Sequence, residues 1–415
     1  MTRFESAKEL YSDFGIDVEK ALELAANKEI SINCWQGDDV TGFDNPDGCA
    51  GNGIQTTGNY PGRARNFEEL KSDFLKAASL IPGRKRINLH ASYAIFPEGT
   101  WVDRDEIDYQ YFIPWVEFAK EHNLGIDFNP SCFSHPMVKD GLTLSSPDED
   151  VRKFWIKHCI ASRRIAQKIG EALNDQVLNN VWIPDGYKDI PADRLGPRLR
   201  LEDSLNQIFA EPCPNVIDCV ESKVFAIGVE SYTVGSSEFY LNYAARHPGV
   251  YDLMDMGHYH PTEVVSDKIS AMLPFFDRIP LHVTRPVRWD SDHVVLLQDE
   301  LKELMLEIVR NGALDKAIFG LDFFDASINR VAAWVIGTRN TQKALLWALL
   351  QPHAELKAMQ DRGDFTAKMM LMEEAKTLPF GDIWTEYCRR QNVPVDRTWY
   401  DEVLRYEETV LSARK

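Results

Sequence analysis

No apolar run in this 415-residue chain approaches the roughly 20 residues needed to span a bilayer, and the charged stretch from Met1 to Val18 has no apolar core of a secretory signal. Neither membrane insertion nor export is expected. Cysteine is sparse: Cys34, Cys49, Cys132, Cys159, Cys213, Cys219 and Cys388 are odd in number, scattered and without CxxC spacing, which excludes a disulfide framework and a cysteine-rich zinc site. Reduced thiols in the cytoplasm are the expectation. Basic charge is also short, 46 Lys and Arg against 64 Asp and Glu for a net −18, with no local basic patch. Such a surface repels phosphates, so a nucleic-acid partner is excluded and a small polar substrate fits better.

Eight short β-branched or apolar runs alternate with amphipathic stretches. They are Ile30 to Cys34, Ile87 to His90, Ile126 to Asn129, Val181 to Ile183, Val216 to Glu221, Val250 to Asp255, Pro280 to Thr284 and Ile318 to Asp322. Helical patterns such as Phe67 to Leu80 and Val294 to Asn311 lie between them, Ser236 and Ser237 can cap a helix towards Ala245, and Ser146-Pro147-Asp148 opens another through Trp155 to Ile169. Strand and helix alternating eight times predict an α/β fold, a (β/α)8 TIM barrel. Beyond Arg339 the periodicity is helical only, with candidates at Lys343 to Leu356, Phe365 to Thr377, Ile383 to Gln391 and Trp399 to Leu411. The chain therefore divides into a barrel over residues 1–339, with a leading helix region and a loop from Gln36 to Gly62, and a helical C-terminal extension over 340–415. That loop carries Asp38, Asp39, Asp44 and Asp47 and little to form a core, which suits a lid or a subunit contact.

Nearly every run closes on a polar or reactive group: Trp35, His90, Asn129, Asp185, Glu221, Asp255, His282, Asp322. Barrel active sites sit at the C-terminal ends of the strands. Glu221, Asp255, His282 and Asp322 come from four successive runs and can complete one metal site. Hard carboxylates with a minority of imidazoles and no cysteine favour manganese, magnesium or cobalt. His258 lies three residues beyond Asp255, so that Asp255 can bridge to a second ion held by His258, Asp290 and Asp292, whose one-residue separation points both acids the same way in extended chain. Each has a plainer alternative: Asp292 just before Val294 can cap a helix, and two close acids also suit a solvated turn. His260 either completes an HxH pair with His258, as in a metal-dependent hydrolase, or supports a ligand from behind. Lys223, two residues after Glu221, can polarise a carbonyl oxygen or simply neutralise the acids. His90 suits proton transfer or a structural hydrogen bond. Trp35, Trp101 and Trp182 offer flat faces near strand exits, and the Met-rich stretch Lys368 to Met372 suits helix core.

Glu-x-Lys at a strand end, an acid with His three residues later and a following Asp-x-Asp resemble the two-metal site of the xylose isomerase-like barrels. Longer strings go further: Cys34-Trp35-Gln36-Gly37-Asp38-Asp39-Val40, Asn88-Leu89-His90-Ala91, Asp127-Phe128-Asn129-Pro130 with Phe133-Ser134-His135-Pro136, Gly257-His258-Tyr259-His260-Pro261-Thr262-Glu263, Arg285-Pro286-Val287-Arg288-Trp289-Asp290-Ser291-Asp292-His293 and Leu321-Asp322-Phe323-Phe324-Asp325-Ala326-Ser327-Ile328-Asn329-Arg330. Together they resemble the L-rhamnose isomerase family over nearly the whole chain. The resemblance implies a cytoplasmic homotetramer that interconverts L-rhamnose and L-rhamnulose with Mn2+ as the first step of rhamnose catabolism. It places manganese on His258, Asp290 and Asp292, and the other ion on Glu221, Asp255, His282 and Asp322. The expected chemistry is a two-metal assisted hydride shift between C2 and C1, with Lys223, His90, Asp290 and Asp322 as catalytic groups, Trp35, Trp182 and His90 on the sugar, and Co2+ or Mg2+ as possible substitutes. A metal-dependent hydrolase using His258 and His260 is the alternative.

Overall fold

A computed structural model describes residues 1–44, 54, 56, 58–224, 231–287 and 290–414. Asp47, Cys49, Arg288 and Trp289 lie outside the described residues. The described residues form ten strands: β1 Ile30–Asn33, β2 Lys85–His90, β3 Gly125–Asn129, β4 Val177–Val181, β5 Gly186–Tyr187, β6 Val216–Glu221, β7 Tyr232–Thr233, β8 Val250–Asp255, β9 Ile279–Val283 and β10 Ala317–Leu321. Eight of them close a parallel barrel in the order β1-β10-β9-β8-β6-β4-β3-β2, while β5 and β7 form a small antiparallel pair outside it. The predicted α/β barrel is the observed one.

The barrel closes because its strands are buried on both faces, which β-branched and aliphatic side chains tolerate best. Ile30, Ile32, Ile87, Ile126, Leu281 and Phe319 pack into one continuous core with the surrounding helices, and Leu178, Ile217, Cys219 and Leu253 form a separate cluster of their own. The helix Glu149–Leu173 opens as expected, with the Asp148 carboxylate accepting from the amides of Asp150 and Val151. A helix also follows Ser236, over Ser237–Arg246.

Several boundaries move. The fourth strand is Val177–Val181 rather than Val181 to Ile183, so Asp185 is not at a strand exit. It is buried and accepts from the amides of Thr143 and Ser145 and from both hydroxyls, a clamp between loops. The helix expected from Val294 begins at Asp299 with Gln298 as its cap residue, which removes Asp292 from any capping role.

After β10 the helix Arg330–Leu349 packs on β1 and runs across the expected division at residue 339. The helices His353–Asp361, Phe365–Ala375, Phe380–Arg390 and Thr398–Thr409 follow. Ile383, Trp384 and Tyr387 pack against Tyr11, Val18 and Leu22 of the two leading helices, so the two ends of the chain share a core. Within the stretch Lys368 to Met372 only Leu371 is core: Met369 and Met370 are 69% and 53% exposed, and their helix packs chiefly on the short helix before it. No helix among the described residues is long and apolar enough to cross a membrane.

Candidate active site

Parallel strands that begin together also end together, so the last residues of β6, β8, β9 and β10 arrive at one rim. Glu221 and Asp255 are the terminal residues of β6 and β8, Asp255 pairs in register with His282, and Asp322 follows β10 directly. One ligand atom from each of Glu221, Asp255, His282 and Asp322 lies within 4.8 Å of all the others. Gly320 is in register with His282, and a Cβ there would come within 2.9 Å of the imidazole Cδ2, so the bare backbone makes room for the ring.

Within the cluster His282 Nδ1 lies 3.0 Å from Glu221 Oε1 and 3.4 Å from Asp322 Oδ2. His258 Nδ1 stands 3.3 Å from the same Glu221 oxygen, and its Nε2 is 3.1 Å from Asp290 Oδ2. The Asn180 amide donates to the other Glu221 oxygen, and the Gly257 N–H donates to Asp255 Oδ1 at 2.5 Å. Asp292, a half-buried residue in the left-handed region at φ +42°, turns its carboxylate into the same cavity.

Burial opposes charge on His258, but Asp290, Asp255 and Glu221 outweigh it and hold the imidazole pKa well above its usual range. His282 is raised in the same way by Glu221 and Asp322. Burial, and then the neighbouring acids, push Asp255 and Asp292 well above the carboxylate range. Two unit charges of one sign about 4 Å apart repel by about 4 kcal/mol at an effective dielectric constant of 20. A set of acids this close therefore calls for positive charge. Asp255 Oδ2 and Asp290 Oδ1 are buried with no hydrogen-bond partner among the described residues, which native structures rarely tolerate unless something else satisfies the atom. Oxygen and nitrogen donors with two such orphaned carboxylate oxygens fit a hard divalent cation.

The cavity beside this cluster encloses about 540 Å³ of empty space, its open side included. Trp35, His90, Phe133 and Trp182 line it together with Glu221, His258, His282, Asp290, Asp292 and Asp322. The aromatic rings pack edge to face, Trp35 on His90 at 4.8 Å and His90 on Phe133 at 5.2 Å. Burial pushes the His90 pKa down to about 4, so its ring is neutral near pH 7.

Nearly every expected site residue meets here, with three differences. Lys223 does not line the cavity; its buried ammonium donates to the Pro184 carbonyl at 3.2 Å and lies 5.6 Å from the Trp182 ring. His260 is exposed and bonded to Thr262 at 2.8 Å, so it neither pairs with His258 nor supports a ligand. Trp101 is 60% exposed and donates to the Asp44 carbonyl, away from the cavity. Asn180 and the wall residues Val40, Ile54 and Phe324 were not expected. The pair Asn179-Asn180 interrupts an apolar run and so hides β4 from periodicity, and Val40 and Ile54 come from the acidic loop, where only the fold shows which side chains face in.

A closed parallel barrel with carboxylates and imidazoles converging at the strand ends beside an aromatic wall defines the class, an α/β-barrel enzyme with a site suited to a divalent cation. A family model for L-rhamnose isomerase (RhaA) matches residues 1–414. The L-rhamnose isomerase of Yersinia pseudotuberculosis serotype O:1b (strain IP 31758) is 54% identical over 413 residues, 99% of this chain and 98% of its own, and that of Yersinia pestis matches equally. The chain belongs to the L-rhamnose isomerase family, whose members are aldose–ketose isomerases. Among solved structures, a protein provisionally described as a sugar phosphate isomerase/epimerase of Anabaena variabilis ATCC 29413 is similar in fold, with a TM-score of 0.50 at 13% identity over 78% of this chain and 100% of that one.

Proposed function

We propose that this chain interconverts L-rhamnose and L-rhamnulose, as the first step of rhamnose catabolism, with two divalent ions, Mn2+ by preference and Co2+ or Mg2+ as substitutes. One observation carries the proposal: His258, Asp290 and Asp292 line one cavity with Glu221, His282 and Asp322 of the four-residue cluster and with the rings of Trp35, His90, Phe133 and Trp182. Each ligand set would hold one ion, Glu221, Asp255, His282 and Asp322 one and His258, Asp290 and Asp292 the other. When bound, the ions neutralise the acids and polarise the sugar oxygens.

The residues divide the remaining work. Trp35 and Trp182 pack on the C–H faces and methyl group of the deoxy sugar. His90, neutral and beside Ser131, moves the proton of ring opening. Asp322, held by Trp35, orients a hydroxyl. A proton leaves O2 towards Asp290, a hydride passes from C2 to C1, and O1 takes up a proton, so that one proton leaves and one arrives; Lys223, which does not line the cavity, holds the Pro184 carbonyl beside Trp182. The same reading gives a cytoplasmic homotetramer. Its barrel unit is residues 1–339 and its helical extension 340–415, packed as one body by the helix that crosses between them. The hydrolase alternative has no support in the geometry, because His260 points away from His258's cavity.

Calorimetric titration of chelator-stripped protein with Mn2+ tests the ligand assignment, with two ions per chain expected and a single ion contradicting it. L-Rhamnose deuterated at C2 tests the route. Deuterium retained at C1 of L-rhamnulose supports the hydride shift, and its loss to solvent replaces that shift with an enediol.

A further inference from the structure

Arg104 does not line the cavity, yet it is buried among the loops that build the cavity wall. Its Nε donates to Asp44 Oδ2 at 2.7 Å, both side chains being buried. The guanidinium Nη1 donates to two carbonyls, Ser131 at 2.6 Å and Phe133 at 2.5 Å. One planar cation thereby ties the loop after β1 to the loop after β3.

A second link runs through the backbone of Arg104. Its carbonyl accepts from His158 Nδ1 at 2.8 Å, and His158 Nε2 accepts from the Ser131 amide at 2.8 Å. Because a carbonyl only accepts and an amide N–H only donates, these partners fix the tautomer. Burial keeps that ring neutral by lowering its pKa to about 3. Ser131 in turn accepts from the Ser92 amide at 2.9 Å and stands 3.4 Å from His90 Nδ1. The backbone of Phe133 and the contact of His90 therefore both hang on segments that Arg104 holds.

Stability alone gives no reason for this pair, since a buried ion pair can often be replaced by apolar side chains without loss. What a planar fork adds is position, because its donors are fixed relative to one another and a lysine cannot reproduce them. We propose that Arg104, acting through Asp44 and the carbonyls of Ser131 and Phe133, is a positioning residue that sets the His90 and Phe133 wall against the sugar. The inference rests on reading the cavity as the sugar site.

Arg163 provides a matched control. It pairs with Asp218 at 2.7 Å, also buried, and donates to the Ile208 carbonyl at 2.6 Å, but none of these partners lines the cavity. The test compares Mn2+-loaded wild type, Arg104→Lys, Asp44→Asn and Arg163→Lys for KM and kcat on L-rhamnose, Mn2+ affinity and Tm. We expect Arg104→Lys to raise KM by about tenfold or more, with Mn2+ affinity within about twofold of wild type because the metal ligands lie on other strands. Asp44→Asn follows in the same direction and keeps the test open if Arg104→Lys does not fold. Arg163→Lys lowers Tm with KM unchanged. An unchanged KM in the folded Arg104 and Asp44 variants overturns the inference, as does an equal rise in Arg163→Lys. Wild type that forms no ketose overturns the sugar reading and this inference with it, an outcome distinct from active wild type with unaffected variants.

Discussion

Trp35 Nε1 donates to Asp322 Oδ1 at 3.0 Å, so the indole that follows β1 holds the carboxylate that follows β10 at the seam where the barrel closes. Hydrogen bonds to charged groups contribute about 1.5–3 kcal/mol. Trp35→Phe keeps an aromatic face and removes only the donor. It should lower kcat/KM by roughly ten- to a hundredfold, the same energy expressed as a rate, with little change in Tm. Activity within twofold of wild type would show that Asp322 is oriented without the indole.

Asp255 Oδ2 is buried without a hydrogen-bond partner among the described residues, 3.8 Å from His282 Nδ1, and its carboxylate sits among other acids. Asp255→Asn should leave the metal-free protein as stable as wild type or more so, because it removes a repelled charge. The same change should abolish most of the Tm rise on adding Mn2+. Saturating ligand at 100 times its Kd stabilises by about 2.7 kcal/mol, so the wild-type rise is readily measured by calorimetry. An undiminished rise in the variant would exclude Asp255 as a ligand.

At Asp292 the backbone is left-handed at φ +42°, a conformation that asparagine tolerates as well as aspartate does. Asp292→Asn therefore preserves the turn while removing one negative charge from the cavity. Turnover should fall by at least tenfold with Tm almost unchanged. Loss of activity in proportion to loss of stability would mean that the residue is structural.

His158 is buried and neutral, with its pKa lowered to about 3 by burial against an unfolded value of about 6.5. The unfolded chain binds the additional proton first as pH falls. The stability that this ring supports is thus complete above pH 6.5 and drains away as pH drops towards 3. His158→Gln retains some hydrogen bonding without the titration. Its stability, though lower at pH 7, should decline less steeply between pH 6.5 and 4, as followed by urea unfolding. Parallel pH profiles would remove His158 as a source of acid sensitivity.

The features most legible in the sequence are those that repeat or that are local. Eight apolar runs gave the barrel, and Glu221, Asp255, His282 and Asp322 were readable as one cluster because each closes a run or, as His282 does, lies within two residues of its end, and parallel strands end together. Where polar residues sit inside a strand, as Asn179 and Asn180 do in β4, the period is lost and the boundary slips. Apolar residues upstream of a helix mislead in the opposite direction: Val294 and Val295 are buried and extend the pattern before the helix that starts at Asp299. Arg104 leaves no local mark at all, since Asp44, Ser131 and Phe133 lie 60, 27 and 29 residues away and two of the three contribute only a carbonyl. The outward turn of His260 was equally hidden, because HxH spacing fixes proximity in sequence and not direction.

Product analysis after metal exchange bears most directly on the whole account. The protein is stripped with a chelator, Mn2+ is restored, and ketose formation is measured from L-rhamnose beside D-xylose and L-mannose. The account predicts no conversion without metal and Mn2+-restored formation of L-rhamnulose from L-rhamnose. Absence of ketose from every aldose, with Mn2+ demonstrably bound, would contradict it.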